Sequence, residues 1–139
     1  MERYKQIALK GRAYPSDLNH AGTVFGGWIM AKMDKAASIA VEDIVSSGAV
    51  TVSVTDLHFL KPVRNGDIFT VYTQIAAIGN TSIKIDVTMM VRCKDSHEEY
   101  MVTNAFFTFV TVDSEGNSIN VRSVIRDDVE EYIRQLVAE

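Results

Sequence analysis

The sequence predicts an α+β domain in which a five-stranded antiparallel sheet wraps around one long central helix. Two observations predict it: apolar residues recur at helical spacing after a Gly-Gly pair, and most of the remaining chain alternates apolar and polar residues. A parallel sheet requires helices that alternate with strands, and this sequence does not show that alternation. At 139 residues, the chain has the length of one ordinary domain, so we interpret residues 1–139 as a single unit.

The first two predicted elements are a strand and the long helix. Residues 4–14 show mixed alternation and are followed by a Pro-Ser-Asp turn at residues 15–17. The helix is predicted over residues 25–45, and Ser-Ser-Gly at residues 46–48 ends it. At about 100° per residue, its apolar side chains form one stripe. The members of the stripe are Ile29, Met30, Met33, Ala36, Ala37, Ala40, Val41 and Ile44.

The rest of the chain predicts four more strands and a short C-terminal helix. The segments are rich in β-branched residues and are separated by Pro, Gly and Asn turn signals. They are residues 49–60, 68–78, 83–94 and 100–112, followed by a helix over residues 127–138. A single sheet that covers the apolar stripe of one helix in so short a chain is the arrangement called a hotdog fold.

Composition restricts the classes of function. The net charge is −4, and lysine and arginine are scattered, which argues against nucleic acid or an anionic membrane as a partner. No apolar run approaches the roughly 18 residues that span a bilayer. One cysteine and three widely spaced histidines predict no metal site. The first residues lack the features of a signal peptide, which favours a cytoplasmic location.

The candidate catalytic site is the start of the long helix. Gly26 and Gly27 let a ligand approach the backbone, and the first amides of a helix are unpaired donors that attract developing negative charge. On the helical wheel, Asp34 lies along nearly the same edge as Gly27, roughly 10 Å further along the axis. A carbonyl compound can therefore reach both. The same pattern also fits a plain turn and a solvated boundary carboxylate.

Three blocks of sequence, in order, resemble the YciA-type acyl-CoA thioesterases, a hotdog family. They are residues 15–22 (PSDLNHAG), residues 25–30 (FGGWIM) with Asp34 beyond, and residues 59–63 (FLKPV) with Gly66-Asp67 beyond. The resemblance covers nearly the whole chain. The chain departs from it mainly at residues 55–58, which leaves the preferred acyl chain length open.

The resemblance implies roles for individual residues. Asp34 activates the hydrolytic water or attacks the thioester itself, and the Gly27 amide polarises the carbonyl. Asn19 helps to hold water or substrate from across a dimer interface, and Phe25 and Gly26 contact the substrate. The resemblance also implies an acyl-CoA substrate, no separate cofactor, and a homodimer assembled into a hexamer as a trimer of dimers.

Coenzyme A carries phosphates, so basic or hydroxyl-rich turns are candidates to bind it. We expect Lys61 and Arg64 to contribute, together with Gly79, Thr81 and Ser82 of the turn that follows residue 78. Loops are polar without any ligand, so these residues are equally consistent with a solvated surface.

Two other functions remain open at this point. Residues 16–20 (SDLNH) superficially resemble the Asp-x-Asn-x-His motif of hotdog hydratases, in which an Asp and a His transfer protons, but the proline before the histidine is missing. A non-catalytic acyl-CoA-binding domain is the second alternative. Only hydrolysis would release free CoA from an acyl-CoA.

Overall fold

One helix packed against the inner face of a five-stranded sheet forms the centre of the computed structural model, which describes residues 5–138. The elements, in chain order, are β1 (Gln6–Arg12), α1 (Gly26–Glu42), β2 (Gly48–Thr55), β3 (Ile68–Ile78), β4 (Ser82–Arg92), β5 (Glu99–Val112) and α2 (Glu131–Ala138). The strands are ordered β1-β3-β4-β5-β2, and neighbours are antiparallel. The predicted α+β hotdog architecture is confirmed.

The predicted stripe of α1 is the face that packs on the sheet. Ile29, Met33, Ala36, Ala37 and Val41 are buried. The two alanines let the helix backbone approach the strands closely, and the larger side chains fill the space on either side. Full burial of one such large side chain stabilises the fold by about 1.5–3 kcal/mol. The stripe therefore fixes which edge of α1 stays at the surface.

The inner face of the sheet supplies the other half of the core. Side chains at alternate positions of the three central strands are buried there, as the period of two requires. They include Val71, Ile85, Val87, Met89, Phe107 and Phe109. Phe106 lies on the opposite face, where Lys84 Nζ is 4.5 Å from its ring centroid.

Several predicted boundaries were wrong, among them the end of β1, at Arg12 rather than residue 14, and the end of β4, at Arg92 rather than residue 94. The strand predicted over residues 49–60 ends at Thr55, because Asp56 has a φ of 60° and the left-handed region interrupts an extended strand. The long helix ends at Glu42, three residues early, and the C-terminal helix begins at Glu131. Residue 4, predicted as the start of the first strand, lies outside the described residues.

Within residues 5–138, neither helix combines the length and the apolar character needed to cross a bilayer.

Candidate active site

The start of α1 presents backbone that a ligand can approach. Trp28 N and Ile29 N both donate to Phe25 O, at 3.1 and 3.2 Å. The Gly26 and Gly27 amides lie in the same first turn, where a helix supplies no carbonyl partner. Gly27 is exposed, and a Cβ added there would meet no atom of residues 5–138 within 4 Å. The space beside Gly27 is therefore open to a substrate.

Asp34 lies two turns further along α1 and is half-buried. Thr51 Oγ1, on the edge strand β2, donates a hydrogen bond of 2.6 Å to Asp34 Oδ1. Among residues 5–138, no other side chain bonds to this carboxylate, so Oδ2 is available. Asp34 is therefore neither sealed in the core nor held in an ion pair within the described chain.

Thr51 is the residue that sequence reasoning missed. The register of β2 against β5 shifts between Thr51 and Ser53, which marks a β-bulge at this point of the strand. Bulges occur next to active sites because they redirect a side chain. In the sequence, Thr51 is one of several β-branched residues in an alternating strand, and nothing distinguishes it from its neighbours.

Asn19 organises the loop that leads to α1. Its Oδ1 accepts hydrogen bonds from Ala21 N at 2.9 Å and Thr23 N at 3.2 Å, and its Nδ2 donates to Thr23 Oγ1 at 3.3 Å. Within one protomer, as far as the structure describes it, Asn19 does not bond to Asp34. A role across a dimer interface stays a prediction, and it would fall to the Nδ2 group because Oδ1 is already occupied.

A cleft of about 300 Å³ lies beside the first turn of α1. Its lining includes Gly26, Ile29 and the segment from Phe59 to Pro62, so it contains two predicted substrate-binding residues, Gly26 and Lys61. The Phe59 ring covers Gly26, where an added Cβ would lie only 3.0 Å from the ring. Phe59 is nevertheless 50% exposed, and Phe25 is 53% exposed. The cleft thus has apolar walls and a lysine at its edge.

A buried carboxylate holds the segment after this cleft in place. Asp67 is only 3% exposed, and it accepts hydrogen bonds from Arg64 N at 3.0 Å and Lys94 N at 3.2 Å. Tyr100 Oη donates to Pro62 O at 2.9 Å. Burial raises the pKa of Tyr100, and the charge of Asp67 raises it further. The Gly66-Asp67 block of the sequence therefore has a structural role.

The two groups of predicted CoA-binding residues lie at opposite ends of β3. Lys61 and Arg64 precede this strand, whereas Gly79, Thr81 and Ser82 follow it. The strand between them has 11 residues and is about 36 Å long at 3.3 Å per residue. Within one protomer, the two groups of residues cannot contact the same phosphate.

Strand pairing places the turn after β3 at the same end of the sheet as Thr51, the residue that bonds to Asp34. Ile83, which follows the turn, pairs with Phe109, and Phe109 pairs on its other side with Thr51. Arg64, at the other end, is exposed and bridges to Thr23 beside the helix start. The contacts of these residues with coenzyme A stay predictions.

The hydratase alternative finds no support in the geometry. Asp17 Oδ2 accepts a hydrogen bond from Tyr14 N at 2.9 Å, and His20 is exposed. No hydrogen bond joins Asp17 to His20 in the described part of the chain, so these two residues do not form a proton-transfer pair. Among residues 5–138, no group of three or more His, Cys, Asp or Glu side chains is placed to hold a metal ion.

Known proteins are similar to this chain in sequence and in fold. The model of the thioesterase superfamily matches residues 21–93. A Haemophilus influenzae protein named an uncharacterized acyl-CoA thioester hydrolase is 40% identical over 133 residues, which cover 94% of this chain and 84% of that protein. The Escherichia coli acyl-CoA thioester hydrolase YciA is 36% identical over 113 residues, covering 79% and 86%.

A solved structure agrees over the full length. The hexameric hotdog fold thioesterase of Campylobacter jejuni superimposes with a TM-score of 0.82 at 31% identity. The superposition covers 99% of this chain and 100% of that one.

Proposed function

Because this chain belongs to the YciA-type acyl-CoA thioester hydrolases of the thioesterase superfamily, we propose that it hydrolyses acyl-CoA to a free acid and CoA at the start of α1. The observation that carries the site assignment is the arrangement of one carboxylate and one open backbone position on the same helix. Within the described protomer, one oxygen of Asp34 has no hydrogen bond, and a Cβ on Gly27 would meet no atom within 4 Å. A thioester carbonyl fits between an acid and an amide placed in this way.

In the proposed reaction, Asp34 takes a proton from a water molecule, and the water oxygen attacks the thioester carbonyl carbon. Negative charge grows on the carbonyl oxygen and is held by the Gly27 N–H. Loss of one such donor costs about 3 kcal/mol in other enzymes. The intermediate then expels CoA as a thiolate, a good leaving group that needs little protonation at neutral pH. The proton held by Asp34 is released to solvent.

Direct attack by Asp34 is the alternative route. ¹⁸O found in the protein after one turnover would identify it, whereas ¹⁸O in the acid alone arises by either route. In a single turnover in ¹⁸O water with enzyme in excess, the base route puts the label into the product acid. Attack by Asp34 forms an anhydride, and water adding at the Asp34 carbonyl leaves the label in the protein. Mass spectrometry of the acid and of the Asp34 peptide reads out the result.

The activity is tested with Asp34→Asn, which keeps the shape of the side chain and an oxygen for Thr51 but removes the base. We expect turnover of acyl-CoA to fall about a hundredfold to ten-thousandfold, because a positioned base contributes that much. Free CoA, detected with a thiol reagent across acyl chains of increasing length, is the measurement. The matched control is Glu42→Gln, an exposed carboxylate at the end of the same helix. Full activity of folded Asp34→Asn would contradict the assignment.

We further propose that the substrate lies between two protomers. The sheet ends at β2, an edge strand whose Val50 and Val52 are 49% and 54% exposed. Pairing of such an edge with a second copy buries both the apolar side chains and the unpaired backbone groups. A shared site would also let Arg64 of one protomer and the Gly79–Ser82 turn of the other contact one CoA molecule.

The oligomer is proposed to be a hexamer built as a trimer of dimers, as the hexameric state of the Campylobacter jejuni relative suggests. Light scattering after size-exclusion chromatography measures the mass. A monomer that retains full activity would contradict the shared site. The absence of a cofactor and the cytoplasmic location also stay predictions, and undiminished turnover in the presence of a chelator checks the first of them.

A further inference from the structure

A second cavity lies between the end of α1, strands β1 and β3, and helix α2. Its volume is about 260 Å³, slightly below that of typical small-molecule sites. Ile39, on its wall, is roughly 20 Å along α1 from Gly26 at 1.5 Å per residue. The cavity shares no lining residue with the cleft beside Gly26. It is therefore separate from the proposed thioester site.

The mouth of this cavity is acidic. Asp43, Asp128 and Glu130 line it and are exposed, and no lysine or arginine is among the lining residues that belong to the described part of the chain. Gln6 Nε2 donates to Glu130 Oε1, which holds one carboxylate at the rim. Nearby Arg126 Nε is bonded to the backbone oxygens of residues 42 and 45, at 3.1 Å each. Arg134 likewise donates from Nε to Val129 O at 3.3 Å. Three carboxylates against these two guanidinium groups still favour a cation at the opening.

The wall further inside carries a polar group that has no partner. Thr73 lies on the inner face of β3, lines the cavity and is only 5% exposed, yet its hydroxyl makes no hydrogen bond with residues 5–138. Buried hydroxyls are normally bonded, and an unbonded one is costly. Among the described side chains, Thr103 Oγ1 is the polar atom that is both fully buried and without a hydrogen bond. Thr73 Oγ1 also has no hydrogen bond but is not fully buried, so it remains accessible from the cavity.

The lining combines aliphatic side chains with the polar residues Gln6, Gln74 and Tyr132. Ile39, Ile44, Ile75 and Ile133 contribute to the walls. The cavity thus brings together exposed carboxylates, aliphatic side chains and one buried hydroxyl. Such a combination matches a ligand with a positive end, a short aliphatic chain and a hydrogen-bonding group at the other end.

We propose that this cavity binds a short aliphatic amine that carries a second polar group, such as an amino alcohol. The protonated amine lies among the rim carboxylates, the chain packs on the isoleucines, and the far polar group bonds with Thr73 Oγ1. The bound ligand contacts the last turns of α1, the helix that also carries Asp34. The proposal does not depend on the reaction proposed above.

The test uses a linear aminobutanol with one functional group at each end, titrated by calorimetry into the assembled protein. Butylamine lacks the hydroxyl and butanediol lacks the charge, so each should bind at least about threefold more weakly, as expected for one lost polar contact. Equal binding of all three compounds, or no binding of aminobutanol, would overturn the proposal.

Variants assign the two ends of the ligand. Thr73→Val keeps the β-branched shape and should reduce the affinity for aminobutanol to that for butylamine, whose own affinity should not change. The double variant Asp128→Asn, Glu130→Gln should weaken both amines and leave butanediol unaffected. Glu115→Gln, in an exposed turn outside the cavity, is the charge control and should bind like the wild type.

Two further results bear on the proposed amine site. If Thr73→Val does not fold, the double variant carries the test alone, because both of its positions are exposed. If aminobutanol is displaced by saturating CoA or no longer binds to Asp34→Ala, it occupies the thioester site, and the proposal fails.

Discussion

At the scale of single residues, the hydrogen bond from Thr51 restrains the orientation of Asp34. Thr51 Oγ1 donates its single hydrogen to Asp34 Oδ1, and the two oxygens are 2.6 Å apart. Hydrogen bonds to charged groups contribute about 1.5–3 kcal/mol. Oδ2 is thereby left for the water molecule, and Thr51 acts as a positioning residue in the proposed reaction.

Thr51→Val removes this bond without changing the shape of the side chain. We expect kcat to fall about tenfold to a hundredfold with KM nearly unchanged, because the misoriented base reduces only transition-state stabilisation. Thr51→Ser keeps the hydroxyl and should retain most of the activity. Steady-state kinetics on one acyl-CoA measures both variants. If the valine and serine variants have equal kcat, Thr51 does not position the base.

The backbone N–H of Arg64 donates a hydrogen bond to Asp67, whereas the Arg64 side chain is exposed. If the guanidinium contacts a CoA phosphate, Arg64→Glu should raise KM for acyl-CoA about fivefold and leave kcat unchanged, and the effect should weaken with added salt. Lys84→Glu, on the outer face of the sheet, is the control for net charge. An unchanged KM at low salt would remove Arg64 from the binding site.

At the scale of elements, the two glycines at the start of α1 differ in their surroundings. A Cβ on Gly26 would crowd the Phe59 ring, whereas a Cβ on Gly27 would enter empty space. A larger residue at Gly26 therefore requires the Phe59 ring to shift, whereas one at Gly27 requires no shift within the described protomer. The open space at Gly27 is consistent with a place kept for the substrate.

Gly27→Ala separates stability from activity. Alanine is favoured over glycine in helices by up to about 1 kcal/mol, so the variant should unfold at an equal or higher temperature. Its turnover of acyl-CoA should fall, because the methyl group occupies the space beside the amide. Gly26→Ala should instead lower the melting temperature. Calorimetric melting and CoA release on both variants test this, and an active Gly27→Ala enzyme would argue against substrate contact.

At the scale of the whole molecule, α2 is tied to the sheet through Tyr132. Its Oη accepts a hydrogen bond from Ile75 N at 3.3 Å. Burial raises the pKa of Tyr132 above its ordinary value of 10.0. The neutral phenol is thus favoured in the folded state, and its contribution to stability is present below pH 10 and is lost as the pH rises through the folded-state pKa.

Replacement of this tyrosine should change the alkaline limb of the stability profile. Tyr132→Phe cannot ionise, so its free energy of unfolding should decrease less than that of the wild type between about pH 9 and pH 11. Urea unfolding at several pH values measures the difference. Parallel profiles for the two proteins would show that Tyr132 titrates alike in the folded and unfolded states.

The hotdog layout followed from the sequence because it depends on local periodicity. Of the eight residues predicted for the apolar stripe, five are buried within α1, Met30 and Ala40 are half-buried, and Ile44 is buried beyond the end of the helix. The edge of the stripe placed Asp34 at the surface of the core. The hairpin strands were also predicted closely, since turn residues mark their ends. Asp56 was missed because a left-handed conformation at a non-glycine residue has no periodic signature.

The sequence alone determined which helix carries the carboxylate, which glycines precede it and which family the chain resembles. Only the tertiary structure decided that Thr51 bonds to Asp34, that Phe59 covers Gly26, and that Arg64 and Ser82 lie at opposite ends of β3. These contacts join residues far apart in the chain. They depend on strand register and on how the edge strand packs against α1, and no periodicity within a single segment encodes either.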